Sequence, residues 1–567
     1  MQAWLRLPRR YSICGASIYV VSADRMCRRI VKFRRMNPMI LPNFVRNRQV
    51  ETELSRISVL AAAMKLITVM EKRYFLAVDL GATSGRTIVA SYDGTKVVMD
   101  GLTRFCNSII PCGGHLFWDI AALYNEILLA LRKAAEAGIR LSSIGIDTWG
   151  CDFAFFGRDG QLLSLPYCYR DSHTDGASGR FFRKMPKEEL YGKTGIQFMD
   201  FNSLFQLDTL KMHLCSALDA ADKILFIPDA LIYMLTGSQL CEYTVASTSQ
   251  MLNVRTMDLD PDILAAIGIG REKFGKIVFP GSVAGRLSEQ VVQETGMDAV
   301  VVAVAGHDTA SAVAAIPASR KGYAYLSCGT WSLLGIETGD AIVDESSFRE
   351  NFTNEGGVEG TVRFLKNICG LWIFEQCRKE FKDAPSDVGG LAALCADTDF
   401  GSLIDPDAPC FSHPASMTGA ICGYCRTTGQ IPPETPAEYV RCIFRSLAMR
   451  YRQVLGVLQE MAPERVDALH VIGGGSLNAH LMQYTANATG IPVIAGPSEC
   501  TALGNVLLQL KAAGLADGLE RMREISRASV TVKEYMPEDM AEWDTAYSRF
   551  LDIQGIYSRI HNAGTAE

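Results

Sequence analysis

Apolar and polar residues alternate along the chain from Tyr74 onward in patterns typical of regular secondary structure. Period-two alternation and short apolar runs predict strands over 74–80, 86–92, 96–105 and 141–147. Between the last two strands, apolar residues recur at helical spacing, and Asp119 is a suitable N-cap for the predicted helix. Gly138 follows that helix and is expected to end it.

The second half of the chain repeats this alternation. Its predicted elements are a helix over 436–461, a strand over 468–472, a helix over 478–489, a strand over 492–495 and a helix over 501–513. Strands that alternate with helices place the chain in the α/β class.

A glycine-rich turn follows the first predicted strand. After Asp79 the sequence continues Leu-Gly-Ala-Thr-Ser-Gly-Arg, and its glycines permit a tight reversal into the next strand. Backbone N–H groups of such a turn can cradle phosphate, together with the hydroxyls of Thr83 and Ser84 and the charge of Arg86. Asp79 would face the same space and hold Mg²⁺ through water. The pattern by itself is equally typical of an ordinary turn.

Two later segments resemble this turn. Gly329 and Thr330 follow the apolar run 323–328, and Gly473, Gly474 and Gly475 follow another run and precede a helix. Such a helix N-terminus offers free N–H groups to a ligand. The recurrence predicts a duplicated architecture in which one nucleotide lies between two related domains.

A single carboxylate, Asp308, separates an apolar run from a small-residue segment in VAGHDTASAV. An aspartate at the carboxyl end of a buried strand can accept a proton from a substrate hydroxyl, which is the task of a general base in phosphoryl transfer. The alternative is that Asp308 is only the N-cap of the following helix.

Composition limits the classes of function. The chain has 567 residues, of which 48% are hydrophobic and 21% charged, so it is long enough for at least two domains. Its net charge of −6 gives no argument for binding nucleic acid or membrane. The 17 cysteines are dispersed, which favours reduced thiols in the cytoplasm over a disulfide scaffold. Cys422 and Cys425 form an isolated CxxC, for which a metal or redox role is not favoured.

The amino terminus differs from the rest. Residues 1–50 carry eleven Lys and Arg and a single acid, Asp24, a composition that imitates a transit peptide but contains no membrane-length apolar stretch. Met64 and Met70 lie directly before the first strand. We therefore expect the native protein to start at one of them, with residues 1–69 outside the fold.

Several segments together resemble the FGGY carbohydrate kinase family, and within it the rhamnulokinases. They are, in uninterrupted order, VDLGATSGR, SIGIDTWGCDF, HDTASAV, YLSCGTWSL, NFTNEGG, FLKNICGLW and IGGGSLNA. The resemblance implies an α/β fold of two RNase H-like domains around a nucleotide cleft, as in actin, Hsp70 and hexokinase. It implies an N-terminal domain over 70–317, a C-terminal domain over 318–515 and a helical tail over 516–567.

The resemblance also implies roles for individual residues. Asp308 would be the catalytic base, and the ketose would contact Gly150, His307, Asp308, Thr309 and Asn367. ATP would contact Ala82, Thr83, Ser84, Gly85, Arg86, Thr330, Glu375 and Gly474, with Asp79 on Mg²⁺ through water. Glu375 departs from the family pattern, which commonly has Gln there; an ionised carboxylate accepts hydrogen bonds but cannot donate them.

The implied reaction is ATP-dependent phosphorylation of L-rhamnulose at its 1-hydroxyl. Alternatives are a kinase of another ketose, such as fuculose or xylulose, and a non-catalytic ATP-dependent switch on the same fold. The expected partners are a ketose and ATP alone, and the sequence does not give the oligomeric state. Three side chains have competing structural interpretations: core packing for Trp149 and Trp331, and a cap of a helix over 368–381 for Asn367.

Overall fold

The computed structural model describes residues 72–382, 384–385, 387–412 and 414–563. The basic extension predicted over 1–69, and the start expected at Met64 or Met70, lie outside the described residues.

Strands and helices alternate along the described chain. The strands are β1 (Arg73–Leu80), β2 (Ser84–Tyr92), β3 (Val97–Cys106), β4 (Ile109–Cys112), β5 (His115–Trp118), β6 (Leu141–Thr148), β7 (Phe153–Phe156), β8 (Lys223–Phe226), β9 (Leu240–Glu242), β10 (Leu252–Asn253), β11 (Asp258–Leu259), β12 (Lys276–Val278), β13 (Ser282–Arg286), β14 (Val300–Ala303), β15 (Tyr323–Cys328), β16 (Trp331–Thr338), β17 (Thr353–Gly356), β18 (Val362–Cys369), β19 (Ala468–Ile472), β20 (Val493–Ala495) and β21 (Lys533–Tyr535). The α-helices are α1 (Ile120–Glu136), α2 (Ala177–Phe181), α3 (Lys187–Thr194), α4 (Ser203–Met212), α5 (Ser216–Ala220), α6 (Ile227–Thr236), α7 (Tyr243–Ser247), α8 (Pro261–Ile267), α9 (Glu289–Thr295), α10 (Asp308–Ala314), α11 (Glu345–Arg349), α12 (Trp372–Glu380), α13 (Val388–Ala393), α14 (Met417–Thr427), α15 (Pro436–Met461), α16 (Ala479–Thr489), α17 (Cys500–Ala512), α18 (Leu519–Ser529) and α19 (Met540–Ala563).

Two sheets organise the two halves of the chain. The first has the order β13-β14-β6-β1-β2-β3, and the second has the order β17-β18-β16-β15-β19-β20-β21. In the first sheet β1, β2 and β3 are antiparallel neighbours, and β6 and β14 continue parallel to β1. In the second sheet β15, β16 and β18 repeat the antiparallel part, and β19 and β20 repeat the parallel part. The prediction of a duplicated α/β architecture is confirmed.

A cap of short helices, α2 to α8, lies between β7 and β12. It has an apolar core of its own, to which Phe181, Leu204, Phe205 and Tyr243 contribute. Phe153 and Phe155 of β7 belong to the same core, so the cap packs against the amino-terminal half. The cap also supplies side chains to the space between the halves.

Helix α17 packs against both halves of the chain and is largely buried between them. Its apolar side belongs to a buried cluster that also contains Phe75 of the first sheet and Tyr325 of the second. Gly504 of α17 lies so close to α10 that an added Cβ would come 1.7 Å from the carbonyl oxygen of Ser311. Asn505 donates a hydrogen bond of 2.6 Å to Asp147 at the end of β6.

One predicted helix is wrong. The segment expected to be helical over 368–381 begins with the last residues of β18, and helix α12 starts only at Trp372. Asn367 therefore lies inside a strand, and the interpretation of its side chain as a helix cap is wrong. Cys369 is held in the strand by antiparallel pairing with Trp331.

Among the helices of the described residues, none has the combined length and apolar character that crossing a membrane requires.

Candidate active site

A cavity of about 340 Å³ lies between the two sheets and is lined by both halves of the chain and by the cap. Of the residues predicted as site residues, those that line it are Ala82, Thr83, Gly150, His307, Asp308, Thr309, Thr330, Asn367 and Gly474. A second space of about 520 Å³ adjoins it on the side of Trp331 and Asn367. The structure thus brings most of the predicted site together at one place.

The first glycine turn connects β1 to β2 at the edge of the cavity. The N–H group of Gly81 donates to the carbonyl of Ser84 (2.9 Å), and the amide of Asn107 donates to the carbonyl of Gly81 (3.0 Å). Of the predicted phosphate-binding residues in this turn, only Ala82 and Thr83 line the cavity.

The other three residues of this turn lie outside the cavity lining. The side chain of Ser84 is exposed, and Gly85 is packed against the ring of Phe105. Arg86 donates two hydrogen bonds to Asp79, the shorter of 2.7 Å, and also pairs with Glu499. The guanidinium of Arg86 is therefore engaged by carboxylates in this structure.

The second and third turns approach the cavity from the carboxyl-terminal half. Gly329 and Thr330 join β15 to β16, and the carbonyl of Thr330 accepts hydrogen bonds from the N–H groups of Gly370 and Trp372, each 3.2 Å. At Gly474 a Cβ would meet no atom within 4 Å, so the space above its backbone is open. Open backbone at a glycine permits the close approach of a ligand.

Asp308 is the first residue of α10, and its side chain is about a third exposed into the cavity. The N-cap is His307, so the interpretation of Asp308 as the helix N-cap is wrong. The hydroxyl of Thr309 donates to Oδ1 of Asp308 (3.0 Å), and Nε2 of His307 lies 3.6 Å from the same oxygen. A carboxylate placed in this way can accept a proton from a bound hydroxyl.

One wall of the cavity is formed by β6, the cap and β18. A Cβ at Gly150 would meet Oγ1 of Thr248 at 2.8 Å, so only glycine fits there without movement. Asn367 donates from its side-chain amide to Oε1 of Gln197 in the cap (2.9 Å). Gln197 and Thr248 both line the cavity. This wall thus presents an amide pair and a hydroxyl, which suits a ligand rich in hydroxyl groups.

The two tryptophans behave differently. Trp331 is 39% exposed and lines the cavity, so the interpretation of its side chain as core is wrong. Trp149 is buried, as expected of a core residue, although one face reaches the cavity.

The indole of Trp149 is held by a buried carboxylate. Asp152 accepts hydrogen bonds from the indole N–H of Trp149 (2.9 Å), the indole N–H of Trp118 (2.6 Å) and the amide of Gln206 (2.8 Å). Burial raises the pKa of Asp152 to about 6, against the lowering effect of these donors.

Asp79 and Asp147 are buried and lie outside the cavity lining, and both are influenced by the charge of Asp308, which lines the cavity. Burial raises the pKa of Asp147 well above its usual value, and the charges of Asp79 and Asp308 raise it further. Burial likewise raises the pKa of Asp79, although Arg86 opposes that effect. One oxygen of Asp147 is buried without a hydrogen-bond partner. A nearby cation would stabilise the charged forms of these two carboxylates, which burial otherwise disfavours.

The cation would be held by few protein ligands. Within the residues that the structure describes, no three His, Cys, Asp or Glu side chains are grouped so that they could hold a metal ion directly. Coordination through water and phosphate oxygen, as expected at Asp79, is the arrangement that Mg²⁺ commonly adopts.

Two further predicted features lie away from the cavity lining. Glu375, on α12, accepts a hydrogen bond of 2.7 Å from Arg378. Cys422 and Cys425 lie on α14, where Cys425 is buried and the thiol of Cys422 lies 3.0 Å from the hydroxyl of Tyr439.

Sequence patterns did not single out Gln197, Thr248, Glu355 or Arg363. Glu355 belongs to the segment NFTNEGG, so a motif marked its position without indicating its contacts. The other three stand in segments without glycine turns or strand-end motifs, and only the folded chain brings them to the cavity or to its wall.

The sequence matches both domains of one protein family. The N-terminal domain of the FGGY family of carbohydrate kinases matches residues 74–315, and the C-terminal domain of that family matches residues 324–513. A rhamnulokinase from Bacteroides thetaiotaomicron is 54% identical over 84% of this chain and 99% of its own length. A rhamnulokinase from Mannheimia succiniciproducens is 42% identical over 81% of this chain and 94% of its own length.

Solved structures show the same fold at low sequence identity. Gluconate kinase from Lactobacillus acidophilus superimposes with a TM-score of 0.70 at 17% identity, over 87% of this chain and 98% of its own. Glycerol kinase from Plasmodium falciparum, solved with ADP, gives a TM-score of 0.66 at 17% identity, over 85% of this chain and 98% of its own.

Proposed function

The chain belongs to the FGGY family of carbohydrate kinases, and from this premise we propose that it transfers the γ-phosphoryl group of ATP to the 1-hydroxyl of L-rhamnulose. The observation that carries the proposal is the cavity in which Asp308 lies together with glycine turns from both halves of the chain. The identity of 54% to a rhamnulokinase over most of the chain supports the choice of ketose.

In the proposed reaction the ketose lies against Gly150, Asn367 and the segment from His307 to Thr309. Asp308 accepts the proton of the 1-hydroxyl while that oxygen attacks the γ-phosphorus, and the bond from phosphorus to the bridging oxygen of ADP breaks. Phosphoryl transfer requires mainly positioning and the stabilisation of charge, because little other covalent chemistry is involved.

The nucleotide phosphates would lie between the two halves. We propose that the backbone of Ala82 and Thr83, with Thr330 opposite, surrounds the terminal phosphates and that Gly474 permits the approach of the adenosine part. We also propose nucleotide contacts for four residues outside the cavity lining, because the family pattern places the nucleotide near them: Ser84, Gly85, Arg86 and Glu375. Arg86 would have to leave Asp79 or Glu499 to reach a phosphate group.

A divalent cation, which we propose to be Mg²⁺, would supply charge neutralisation at the phosphates. Asp79 would hold it through water, and Asp147 lies close enough to be affected by the same charge. Asp79 and Asp147 fit this role because burial and their mutual repulsion raise the pKa of both carboxyls, an effect that a cation would offset.

We further propose the domain division 70–317 and 318–515, with 516–567 as a helical tail. A cytoplasmic location is supported by the described cysteines, which are free thiols and mostly buried, as suits a reducing compartment.

A ketose panel tests the proposal directly. ADP release is measured with L-rhamnulose, L-fuculose, xylulose and no sugar, each with Mg²⁺ and after chelation by EDTA. We expect the highest kcat/KM with L-rhamnulose and loss of turnover on chelation. A higher kcat/KM for another ketose would replace the substrate, and ATP hydrolysis indifferent to every sugar would indicate a switch protein.

A further inference from the structure

The imidazole of His307 is contacted by two charged side chains from the other half of the chain. Arg363 of β18 places a terminal nitrogen 3.1 Å from Nδ1 of His307, and Oε2 of Glu355, on β17, lies 3.3 Å from the same nitrogen. Arg363 and Glu355 are 3.0 Å apart. The guanidinium is fully buried, and Glu355 is 5% exposed.

The contact between Arg363 and His307 restricts where the imidazole carries its proton. A guanidinium has only donors, so Nδ1 must accept the hydrogen bond with its lone pair. The proton of the neutral ring is then on Nε2, which faces Oδ1 of Asp308 at 3.6 Å. If Nε2 carried a lone pair instead, it would face the carboxylate oxygen of Asp308 as a second hydrogen-bond acceptor, which is unfavourable.

A competing arrangement would have Nδ1–H donate to Glu355. The geometry disfavours it, because the contact from Arg363 to Nδ1 is shorter and has hydrogen-bond geometry, whereas Oε2 of Glu355 has no well-oriented hydrogen-bond partner. Glu355 instead balances the buried guanidinium. Burial opposes its ionisation, but the charge of Arg363 holds the pKa of this carboxyl below its usual value.

We propose that Arg363 is a positioning residue that fixes His307 as the Nε2–H tautomer, so that His307 donates a hydrogen bond to a ketose oxygen beside the base, with Glu355 as the counter-ion of Arg363. This rests on the proposed function for the identity of the acceptor, but the tautomer is a property of the free protein. The Nε of Arg363 donates to the carbonyl of Gly356 (3.0 Å), which holds the plane of the guanidinium. Since β18 also carries Asn367, one strand would orient the ligand and the donor together.

The tautomer can be measured without substrate. The chain contains only eight histidines, so long-range ¹H–¹⁵N spectra of histidine-labelled full-length protein contain the signals of few imidazole rings. The signals that disappear in the His307→Asn variant belong to His307. We expect a pyridine-like Nδ1 and a protonated, pyrrole-like Nε2 for His307. A protonated Nδ1 in the wild-type protein would overturn the proposal.

Two variants separate the roles of the neighbours. Glu355→Gln keeps the size of the side chain and removes its charge, and we expect it to retain the Nε2–H signature of the wild-type protein. A change of tautomer in this variant would show that Glu355, and not Arg363 alone, fixes the ring. Arg363→Met removes the donor to Nδ1 and should give a mixture of tautomers and lower kcat/KM for the ketose at least about tenfold, with the KM for ATP unchanged. Retention of the wild-type signature in Arg363→Met would refute the role of Arg363.

Arg523→Met is the matched control. Arg523 lies on α18, is largely buried, and pairs with Glu337 of β16 away from the cavity. We expect this variant to lower thermal stability without changing the His307 signals or the ketose kinetics. If Arg363→Met does not fold, the wild-type spectrum and Glu355→Gln still test the tautomer assignment. Wild-type protein that shows the Nε2–H signature but phosphorylates no ketose would reject the proposed function and leave the tautomer assignment standing.

Discussion

A carboxylate that takes a proton from a hydroxyl must be open to the substrate and held in orientation by its neighbours, and Asp308 meets both conditions. Asp308→Asn keeps the size and one oxygen but removes the proton acceptor. Because general-base catalysis contributes roughly 10²–10⁴-fold, we expect kcat to fall at least about a hundredfold. The KM for ATP should change little, since the lost interaction acts mainly in the transition state. Steady-state kinetics check this, and a fully active variant would contradict the assignment.

Asp152 is expected to give the protein a titration near pH 6. Its pKa is raised by burial to about 6, so on acidification it gains a proton and loses capacity to accept from the indoles of Trp118 and Trp149. Intrinsic fluorescence should therefore change with a midpoint near 6, and Asp152→Asn should abolish that change. The same midpoint in the variant would show that another group is responsible.

The sign of the accompanying stability change follows from linkage. The folded protein binds this proton more tightly than the unfolded chain, whose carboxyl has the usual pKa of 3.8. The contribution of Asp152 to stability therefore falls as the pH rises from 3.8 to about 6 and is constant above that range. Comparing denaturant midpoints of wild type and Asp152→Asn across these pH values measures the effect.

Local motifs indicated residues that line the cavity better than they indicated the residues that contact and orient them. Asp308, Thr330 and Gly474 each stand in a short segment whose residue order already indicates a turn or a strand end. Arg363 contacts a histidine 56 positions away, and Gln197 contacts an asparagine 170 positions away. No local pattern reports such pairs, because they arise only when the two sheets and the cap meet.

At the scale of elements, the crossing of α10 and α17 depends on one glycine. In Gly504→Ala the new Cβ would come 1.7 Å from the carbonyl oxygen of Ser311, so the helices must separate. We expect a loss of about 1–3 kcal/mol in the free energy of unfolding, as for other overpacked cores. Activity should fall as well, because α10 begins with Asp308. Thermal or denaturant unfolding checks the first effect.

Gly456→Ala on α15 is the matched control for that substitution. Gly456 is exposed in the interior of a helix, and a Cβ there would meet nothing within 4 Å. We expect it to stabilise the protein by about 0.5–1 kcal/mol, the usual difference between glycine and alanine in a helix. If Gly504→Ala and Gly456→Ala changed the free energy of unfolding equally, helices α10 and α17 could move apart without loss of stability.

The bounds of a helix were predicted well where its sequence contains clear capping residues. Helix α15 has the predicted bounds, because Thr435 and Glu438 form a capping box and Pro436 occupies the first turn. The helix expected over 368–381 failed at its start, where pairing with β16 keeps Ile368 and Cys369 in a strand. Tertiary pairing of that kind overrides local preference and leaves no mark in the sequence window.

At the scale of the whole molecule, the two halves share a core. The cluster around α17 contains residues of both sheets, among them Phe75, Val302, Tyr325 and Leu365. We therefore expect one cooperative unfolding transition, with equal calorimetric and van't Hoff enthalpies, in place of the separate transitions common in two-domain proteins. Bound ADP should move this transition to higher temperature as a whole. Two resolved transitions would contradict the expectation.

The place of α17 in the chain affects how the protein is made. The amino-terminal half, up to Ala314 at the end of α10, leaves the ribosome well before Cys500 begins the helix that covers it. At about 5–20 residues per second, the interval is roughly ten to forty seconds. During that time the small, apolar face of α10 that will receive Gly504 has no partner. We therefore expect the amino-terminal half to complete its packing only after α17 has been synthesised.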